Sequence, residues 1–408
     1  MGCVGSSNAF ATNGYFMHGY GIKAQGQAGV SIAQPQDALA AANNPAGMAW
    51  IGNRFDVGAT LFNPDREAEI EGNPVPGANG HYHGNNRKYF LLPEFGFSKQ
   101  LSDRLGVGIA VYGNGGMNTD YKKNPYGAYG STGSTGVDLA QVFVTPSVAY
   151  KFTNRQSFGI GLNLVGQRFA AKGLGGFAPF SSDSGSFNDR NHDVSFGVGV
   201  RLGWQGQVTD KLTLGVTWAS KAKMSKLDRY AGLFANGGSF DVPENYGAGL
   251  AYRITPAFTL SADVQQIKYG HVRSVGNAFD IQSLFAGNTF GSKNGQGFGW
   301  RDVTVYKVGA SYAVNSRLTL RGGFSHVDQP VRKDQTFLNI LAPGVVQDHL
   351  SLGLTWSPRP SNELSLAYTH ALEDSVKGHN SIPQAFGGGE ANVRMNQDMV
   401  SAAYAWKF

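Results

Sequence analysis

The sequence predicts an all-β protein, a 14-stranded antiparallel transmembrane β-barrel with an N-terminal plug segment in its lumen. Three observations support this fold class. Apolar and polar residues alternate along most of the 408-residue chain, short turns and long loops follow each other regularly, and the N-terminal segment lacks the alternation. Alternation with period two is the signal of a strand that has two different faces.

The composition agrees with one large β unit rather than several soluble domains. The chain has 57 glycines, 12% aromatic residues and a single cysteine, Cys3. No run of about 18 apolar residues occurs, which excludes helical membrane spans. The net charge of +6 is scattered, so we expect no nucleic-acid partner.

Alternation is clear in the segment 194–205. Val194, Phe196 and Val198 alternate with Ser195 and Gly197, and the pattern continues to the end of the segment. In a membrane barrel the apolar set faces lipid and the other set faces the lumen. The mean hydropathy of such a chain is near zero although its outer band is apolar.

Turns and loops set the strand count. Six short polar turns alternate with seven long loops. The turns lie at Ser102-Asp103, Thr153-Asn154, Thr209-Asp210, Thr255-Pro256, Asn315-Ser316 and Pro358 to Asn362. Together they connect fourteen strands with both chain ends on the periplasmic side. The long loops rich in Gly, Asn and Ser cover 72–86, 117–137, 171–192, 228–243, 272–299, 328–347 and 374–395.

Aromatic residues lie beside the short turns, where an interfacial girdle is expected. The last strand ends on Phe408 after alternating apolar residues, which indicates a signal for the bacterial outer-membrane assembly machinery. The predicted girdle consists of Tyr150, Phe152, Trp204, Tyr252, Tyr312, Trp356, Tyr404 and Trp406.

The chain divides into three parts. Residues 1–11 fit the remnant of a secretory signal peptide with Ala9-Phe10-Ala11 as cleavage site, or they are residues foreign to the natural chain. Met1-Gly2 followed by Ser6 also fits an acylation pattern. Residues 12–53 form the plug, with a helix predicted from Pro35 to Asn43 because Pro suits a first helical position and Pro45 restricts Asn44. Residues 54–408 form the barrel.

Several motifs resemble those of the FadL/TodX family of outer-membrane transporters for long-chain fatty acids and other hydrophobic compounds. The resemblance implies a fourteen-stranded barrel, a plug called the hatch, and a kinked third strand that opens a gap in the wall through which ligand passes sideways into the membrane. The motifs are Gly19-Tyr20-Gly21, Ala28 to Ala33, Asn44-Pro45-Ala46-Gly47-Met48, Gly113 to Tyr121, Thr145 to Tyr150, Trp300-Arg301-Asp302 and Leu320 to Phe324.

Two candidate gating motifs follow. Gly113, Gly115 and Gly116 weaken a strand ladder and permit an inward bend, although a plain strand end entering a loop would also explain them. In the plug, the motif Asn44-Pro45-Ala46 predicts a rigid turn beside the wall gap, and the alternative is a simple helix stop.

Candidate ligand-binding residues are of two kinds. Exposed apolar clusters in two outer loops indicate ligand capture, unless the loops pack on each other as a lid. Inward-facing Arg201, Lys307 and Arg321 could receive an anionic head group, unless they pair with carboxylates such as Asp37, Asp56, Glu94 and Asp263. The loop candidates are Leu174, Phe177 and Phe180 in one loop and Leu233, Phe234 and Phe240 in the next.

The predicted function is uptake of fatty acids through a plugged barrel in the outer membrane of a Gram-negative bacterium. Uptake of monoaromatic hydrocarbons is the alternative, followed by a general porin and an outer-membrane lipid hydrolase. We expect no catalytic residue, cofactor or metal; His81 and His83 fit a solvated loop better than a metal site. Further expected partners are outer-membrane lipid and lipopolysaccharide, and we expect a monomer.

Overall fold

The computed structural model describes residues 13–408. The predictions for residues 1–11, including the cleavage site, lie outside this range. Within it, no helix is long and apolar enough to cross a membrane.

The described residues form sixteen strands, of which β2 and β9 are short pieces off the closed path. The remaining fourteen pair in sequence order. The strands are β1 (Arg54–Glu71), β2 (Gly80–His83), β3 (Phe90–Gln100), β4 (Leu105–Asn118), β5 (Gly136–Thr153), β6 (Gln156–Lys172), β7 (Asp193–Gln207), β8 (Leu212–Ala219), β9 (Lys223–Met224), β10 (Asn245–Arg253), β11 (Phe258–Ile267), β12 (Val303–Ala313), β13 (Leu318–Val327), β14 (Asp348–Arg359), β15 (Asn362–Val376) and β16 (Glu390–Lys407).

The sheet closes on itself. β16 pairs with β1 from Arg54↔Lys407 to Glu71↔Glu390, and every neighbouring pair along the path is antiparallel. Closure removes the free sheet edges that a bilayer does not tolerate. The predicted 14-stranded antiparallel barrel is confirmed, with all six predicted turns between its strands.

The outward face carries the predicted apolar band. Phe158, Ile160, Val198 and Leu352 are all more than 50% exposed in the isolated chain. Seven of the eight predicted girdle residues are also exposed, and Trp204 is half-buried. The short turns therefore lie at a membrane interface.

Residues 13–53 are mostly buried and contain two short helices, α1 (Ile22–Gln25) and α2 (Ala40–Asn43), and a 3-10 turn, Pro45–Ala49. The predicted helix from Pro35 is too long. The Asp37 carboxylate accepts a 3.1 Å hydrogen bond from the amide of Leu39, a local bond that competes with helix. Loop helices are α3 (Ala235–Gly238), α4 (Arg273–Gly276), α5 (Ile281–Phe285) and α6 (Thr336–Asn339).

The wall is interrupted between β3 and β4. Their ladder runs only from Gln100↔Gly106 to Phe95↔Val111, whereas β4 continues along β5 to Asn118↔Asp138. A register shift between Gly113 and Gly115 marks the place where β4 changes course. We call the opening that lies beyond the pair Phe95↔Val111, alongside residues 112–118 of β4, the wall gap.

Candidate functional site

Inward-facing carboxylates of the wall hold the N-terminal segment. Asp263 accepts hydrogen bonds from the amides of Ser31 at 2.7 Å and Ile32 at 3.1 Å. Asp56 accepts one from Ala38 and Glu94 one from Gly21. Buried carboxylates need such donors, so these side chains fix residues 21–38 to opposite sides of the lumen.

An ion-pair network anchors the segment near the short turns. Lys23 lies 2.5 Å from Glu363, which also contacts Arg54 at 3.0 Å and Lys407 at 3.0 Å. Arg54 completes the network with Asp56 at 2.6 Å. The charges of Lys23 and Arg54, nearly without solvent contact, are therefore neutralised by wall carboxylates.

The three predicted head-group cations face inward, as expected, but they bind the N-terminal segment. Arg201 donates to the carbonyl of Asn43 at 3.3 Å and Lys307 to that of His18 at 2.9 Å. Arg321 donates to Gln36 Oε1 at 2.8 Å and Thr355 Oγ1 at 2.7 Å. Within residues 13–408 none of the three has a carboxylate within 4.0 Å, so none forms the direct ion pair that was the alternative. Their head-group role stays a prediction.

The motif Asn44-Pro45-Ala46 forms the expected turn. Asn44 Oδ1 accepts from the amide of Ala46 at 3.1 Å, and Asn44 Nδ2 donates to the carbonyl of Ile32 at 2.8 Å. The turn packs on β6 and β7, where a Cβ on Gly159 would lie 2.2 Å from the amide nitrogen of Ala46. The same 3-10 turn also reaches β4, where a Cβ on Gly106 would lie 2.5 Å from the carbonyl oxygen of Met48. The predicted gating role of Asn44-Pro45-Ala46 beside the wall gap stays a prediction.

The glycine segment of β4 contacts the start of the described chain. Gly116 donates to the carbonyl of Tyr15 at 2.9 Å, and Met17 donates to that of Asn114 at 2.8 Å. At Gly115, φ is +154° and a Cβ would lie 1.6 Å from the Tyr15 oxygen. Only glycine fits there. Gly113 has room, since its Cβ would meet Leu92 at 3.6 Å.

The loop residues expected to form an exposed capture surface are buried. Leu174, Phe177, Phe234 and Phe240 are at most 4% exposed, and Phe180 and Leu233 are half-buried. The outer loops pack on each other as a lid, the alternative that the sequence left open. The physical reason is that the aromatic rings pack edge to face, as Phe234 does with Phe240 at 4.9 Å.

An apolar space lies under this lid. We call it the lid cavity; its volume is about 40 Å³ and it brings together Leu174, Phe177, Leu233 and Phe234 but neither Phe180 nor Phe240. A second space, of about 20 Å³, is called the gap cavity. It is lined by residues that the sequence analysis missed, notably Arg66 and Met117. For Arg66 the sequence did carry a signal, because Arg66 lies ten residues after inward-facing Asp56 and so faces inward as well. The lid cavity is lined by Val137, Phe169, Leu174, Phe177, Phe187, Leu233, Phe234, Ser274, Phe290, Gln296, Gly297, Phe298, Leu338 and Leu341.

Comparison with known proteins identifies the family. Residues 3–408 match the family model described as outer membrane protein transport protein (OMPP1/FadL/TodX). The chain belongs to this family. It is therefore an outer-membrane transporter of the FadL/TodX type, and members of this family transport hydrophobic compounds. The family match confirms the resemblance and the outer-membrane localisation that the sequence predicted.

The relatives compared here share less than a quarter of their residues with this chain. The long-chain fatty acid transport protein of Escherichia coli O6:H1 is 22% identical over 91% of this chain and 88% of its own length. Crystal structures of a Pseudomonas aeruginosa FadL homologue and of the Pseudomonas putida toluene transporter TodX superpose with TM-scores of 0.72 and 0.70 at 17% and 18% identity. Each covers 97% of this chain and 100% of the solved chain. At these identities the superpositions show the shared fold.

The histidines of the described residues form no metal site. Among residues 13–408 there is no group of three or more His, Cys, Asp or Glu side chains placed to hold a metal ion. His81 pairs with Glu69 and His83 with Glu67, all on the outer face of the strands. Two of the proteins compared above are described as a long-chain fatty acid transport protein and a toluene transporter.

Proposed function

We propose that this protein captures long-chain fatty acids outside the cell and releases them sideways through the wall gap into the membrane. In this proposal residues 12–53 are the hatch that closes the lumen. Residues 15–17 are its gate, since they pair with the glycine segment of β4 at the edge of the gap.

The observation that carries the proposal is the position of the two apolar cavities. The lid cavity lies under the outer loops, and the gap cavity lies next to the bent end of β4. Leu341 lines the former and Ala342 the latter, so adjacent residues of one loop border both. A hydrophobic ligand needs a dry path of this kind. Both cavities are too small for a fatty acid in this state, so transport requires the lid and the gate to move.

A specific feature favours a fatty acid over an uncharged ligand. Arg66 is the only charged side chain among the ten residues that line the gap cavity. A guanidinium can form a charge-assisted hydrogen bond with the anionic head of an amphiphile, whereas a hydrocarbon has no group that could accept one.

The second candidate function is uptake of monoaromatic hydrocarbons. Six phenylalanines line the lid cavity, and aromatic rings pack well edge to face against such walls. The solved protein TodX, which has a similar fold, is described as a toluene transporter.

Binding of oleate and of toluene to the purified barrel separates the two functions. We expect oleate to bind and to be transported into liposomes, with little steady ionic current, because the hatch closes the lumen in this proposal. Tight binding of toluene without binding of oleate would establish the second function, and a large steady current would indicate a general porin.

A further inference from the structure

Arg66 is a buried arginine at the inner side of the wall gap. It projects inward from β1 and is 1% exposed, among the most deeply buried large side chains of the protein. Its guanidinium also lies over the ring of Phe90, 5.8 Å from the centroid. Burial of a guanidinium to this degree is costly unless its donors are satisfied.

The donors of Arg66 connect the two edges of the gap. Nη1 donates to the carbonyl of Asn118, the last residue of β4, at 2.5 Å. Nη2 donates to the carbonyl of Arg87, which precedes β3, and Nε donates to Asn85 Oδ1 at 3.3 Å. One side chain thus fastens the end of the bent strand to the segment on the opposite side of the opening.

All of these acceptors are neutral. No carboxylate of residues 13–408 lies within the 4.0 Å contact distance of Arg66. The nearest acidic groups are held by other residues, because Asp65 accepts from Asn85 and Asp120 contacts Lys172 at 2.9 Å. An arginine forms its strongest pairs with carboxylate or phosphate, in a bidentate geometry. A carboxylate that reached Arg66 would therefore compete well with the two carbonyls.

The gap cavity offers an apolar place for the remainder of such a ligand. Phe62, Met117, Trp300 and Met395 line it beside Arg66. The two methionines are unbranched and flexible, so they can move to admit an alkyl chain.

We propose that Arg66 is the head-group receptor of the exit site and couples carboxylate binding to opening of the wall gap. The carboxylate of an amphiphile takes the place of the carbonyls of Asn118 and Arg87, and the edges of the gap are released while the tail lies against Phe62 and Met117. This inference rests on the proposed function and adds the ligand class and the trigger.

The test compares uptake of oleate and of methyl oleate, which differ in the charge of the head. Arg66→Gln should lower the rate of oleate uptake about tenfold or more, the worth of a charge-assisted hydrogen bond. It should not lower the rate for methyl oleate, and a rise is expected there because the two edges of the gap are no longer held together. Arg66→Lys should be intermediate, since it keeps the charge without the bidentate fork. Arg394→Gln, an exposed arginine of the outer face, is the matched control and should alter neither rate.

Equal losses of the uptake rate for oleate and methyl oleate in Arg66→Gln would overturn the proposal and show that Arg66 only holds the two edges of the gap together. No loss for either would overturn it as well. Failure of the wild-type protein to transport either compound would refute the proposed function itself.

A measurement on the wild-type protein covers the case in which the variants do not fold. Hydrogen exchange of residues 86–90 and 118–120 should rise when oleate is added and stay constant with methyl oleate. Constant exchange with both compounds would contradict the coupling.

Discussion

The side-chain amide of Asn44 donates a 3.0 Å hydrogen bond to the backbone carbonyl of Trp204 on β7. The same amide also donates to the carbonyl of Ile32. One side chain therefore connects two parts of the N-terminal segment with the barrel wall, close to Gly203, where a Cβ would lie 1.9 Å from Asn44 Oδ1.

Asn44→Ala should loosen the segment from the wall. It removes the two hydrogen bonds that the Asn44 amide donates and the one that its oxygen accepts from Ala46, at a cost of about 1–3 kcal/mol. We expect faster hydrogen exchange in residues 31–50 with an unchanged barrel. Asn43→Ala is the matched control, because the Asn43 amide donates only within the segment, to Tyr20 and Leu39. Equal exchange in the two variants would refute an anchoring role for Asn44.

Gly115→Ala should break the contact between the gate and β4. The new Cβ would overlap the carbonyl of Tyr15, so residues 15–17 must move. Because the displaced gate no longer closes the wall gap, we expect a higher rate of hydrophobic-substrate uptake in a protein that still shows the gel shift of a folded barrel on heating. Gly113→Ala, which has room for its Cβ, should transport normally. Normal uptake by a folded Gly115→Ala variant would argue against lateral exit.

Glu363→Gln should destabilise the inner ion-pair network. Lys23 and Arg54 would lose a carboxylate at a buried position, which costs about 3–5 kcal/mol. We expect a lower temperature for the gel shift and faster exchange around residues 20–26. Glu373→Gln removes the exposed pair with Arg394 and should cost less than about 1 kcal/mol. Similar effects of the two substitutions would show that the inner network contributes little.

Acid should weaken the packing of residues around His18. Burial, the stacked ring of His349 at 5.8 Å and the ammonium of Lys307 hold the pKa of His18 well below 6.5. His18 is neutral while the segment is packed. Above pH 6.5 the stability of the packed segment does not depend on His18. Below that value the stability falls, because His18 binds a proton more readily when the segment is displaced.

The measurement compares the wild-type protein with His18→Gln at each pH. Exchange of residues 15–30 should rise by up to about tenfold per pH unit below the ordinary pKa of histidine in the wild type only. A parallel rise in both proteins would assign the effect to other groups.

The fold could be predicted from the sequence because its signals are local. Alternation in segments such as 194–205 fixes which side chains face lipid, and turn residues such as Asn315-Ser316 mark the end of each hairpin. The inward orientation of Arg201, Lys307 and Arg321 follows from the same alternation. Their partners do not, since these lie up to 289 positions away, as His18 does from Lys307.

The arrangement of the outer loops was not predictable for a related reason. Apolar residues in a loop look alike in sequence whether they bind a ligand or each other, and Phe177 and Phe234 prove to be covered by neighbouring loops. The inward orientation of Arg66 follows from the alternation along β1, but its role depends on the carbonyls of Asn118 and Arg87, which no side-chain pattern records.

The short β3–β4 ladder leaves part of β4 as an edge strand inside an otherwise edgeless sheet. Beyond Val111 this strand is paired on one side only, and its free amides and carbonyls face residues 15–17 rather than another strand. Unpaired strand edges invite pairing with other chains, and in a bilayer each unsatisfied backbone group costs several kcal/mol. The N-terminal segment thus protects the barrel from self-association at the place where its wall is open, and a chain that lacks the residues before Met17 should aggregate in the membrane.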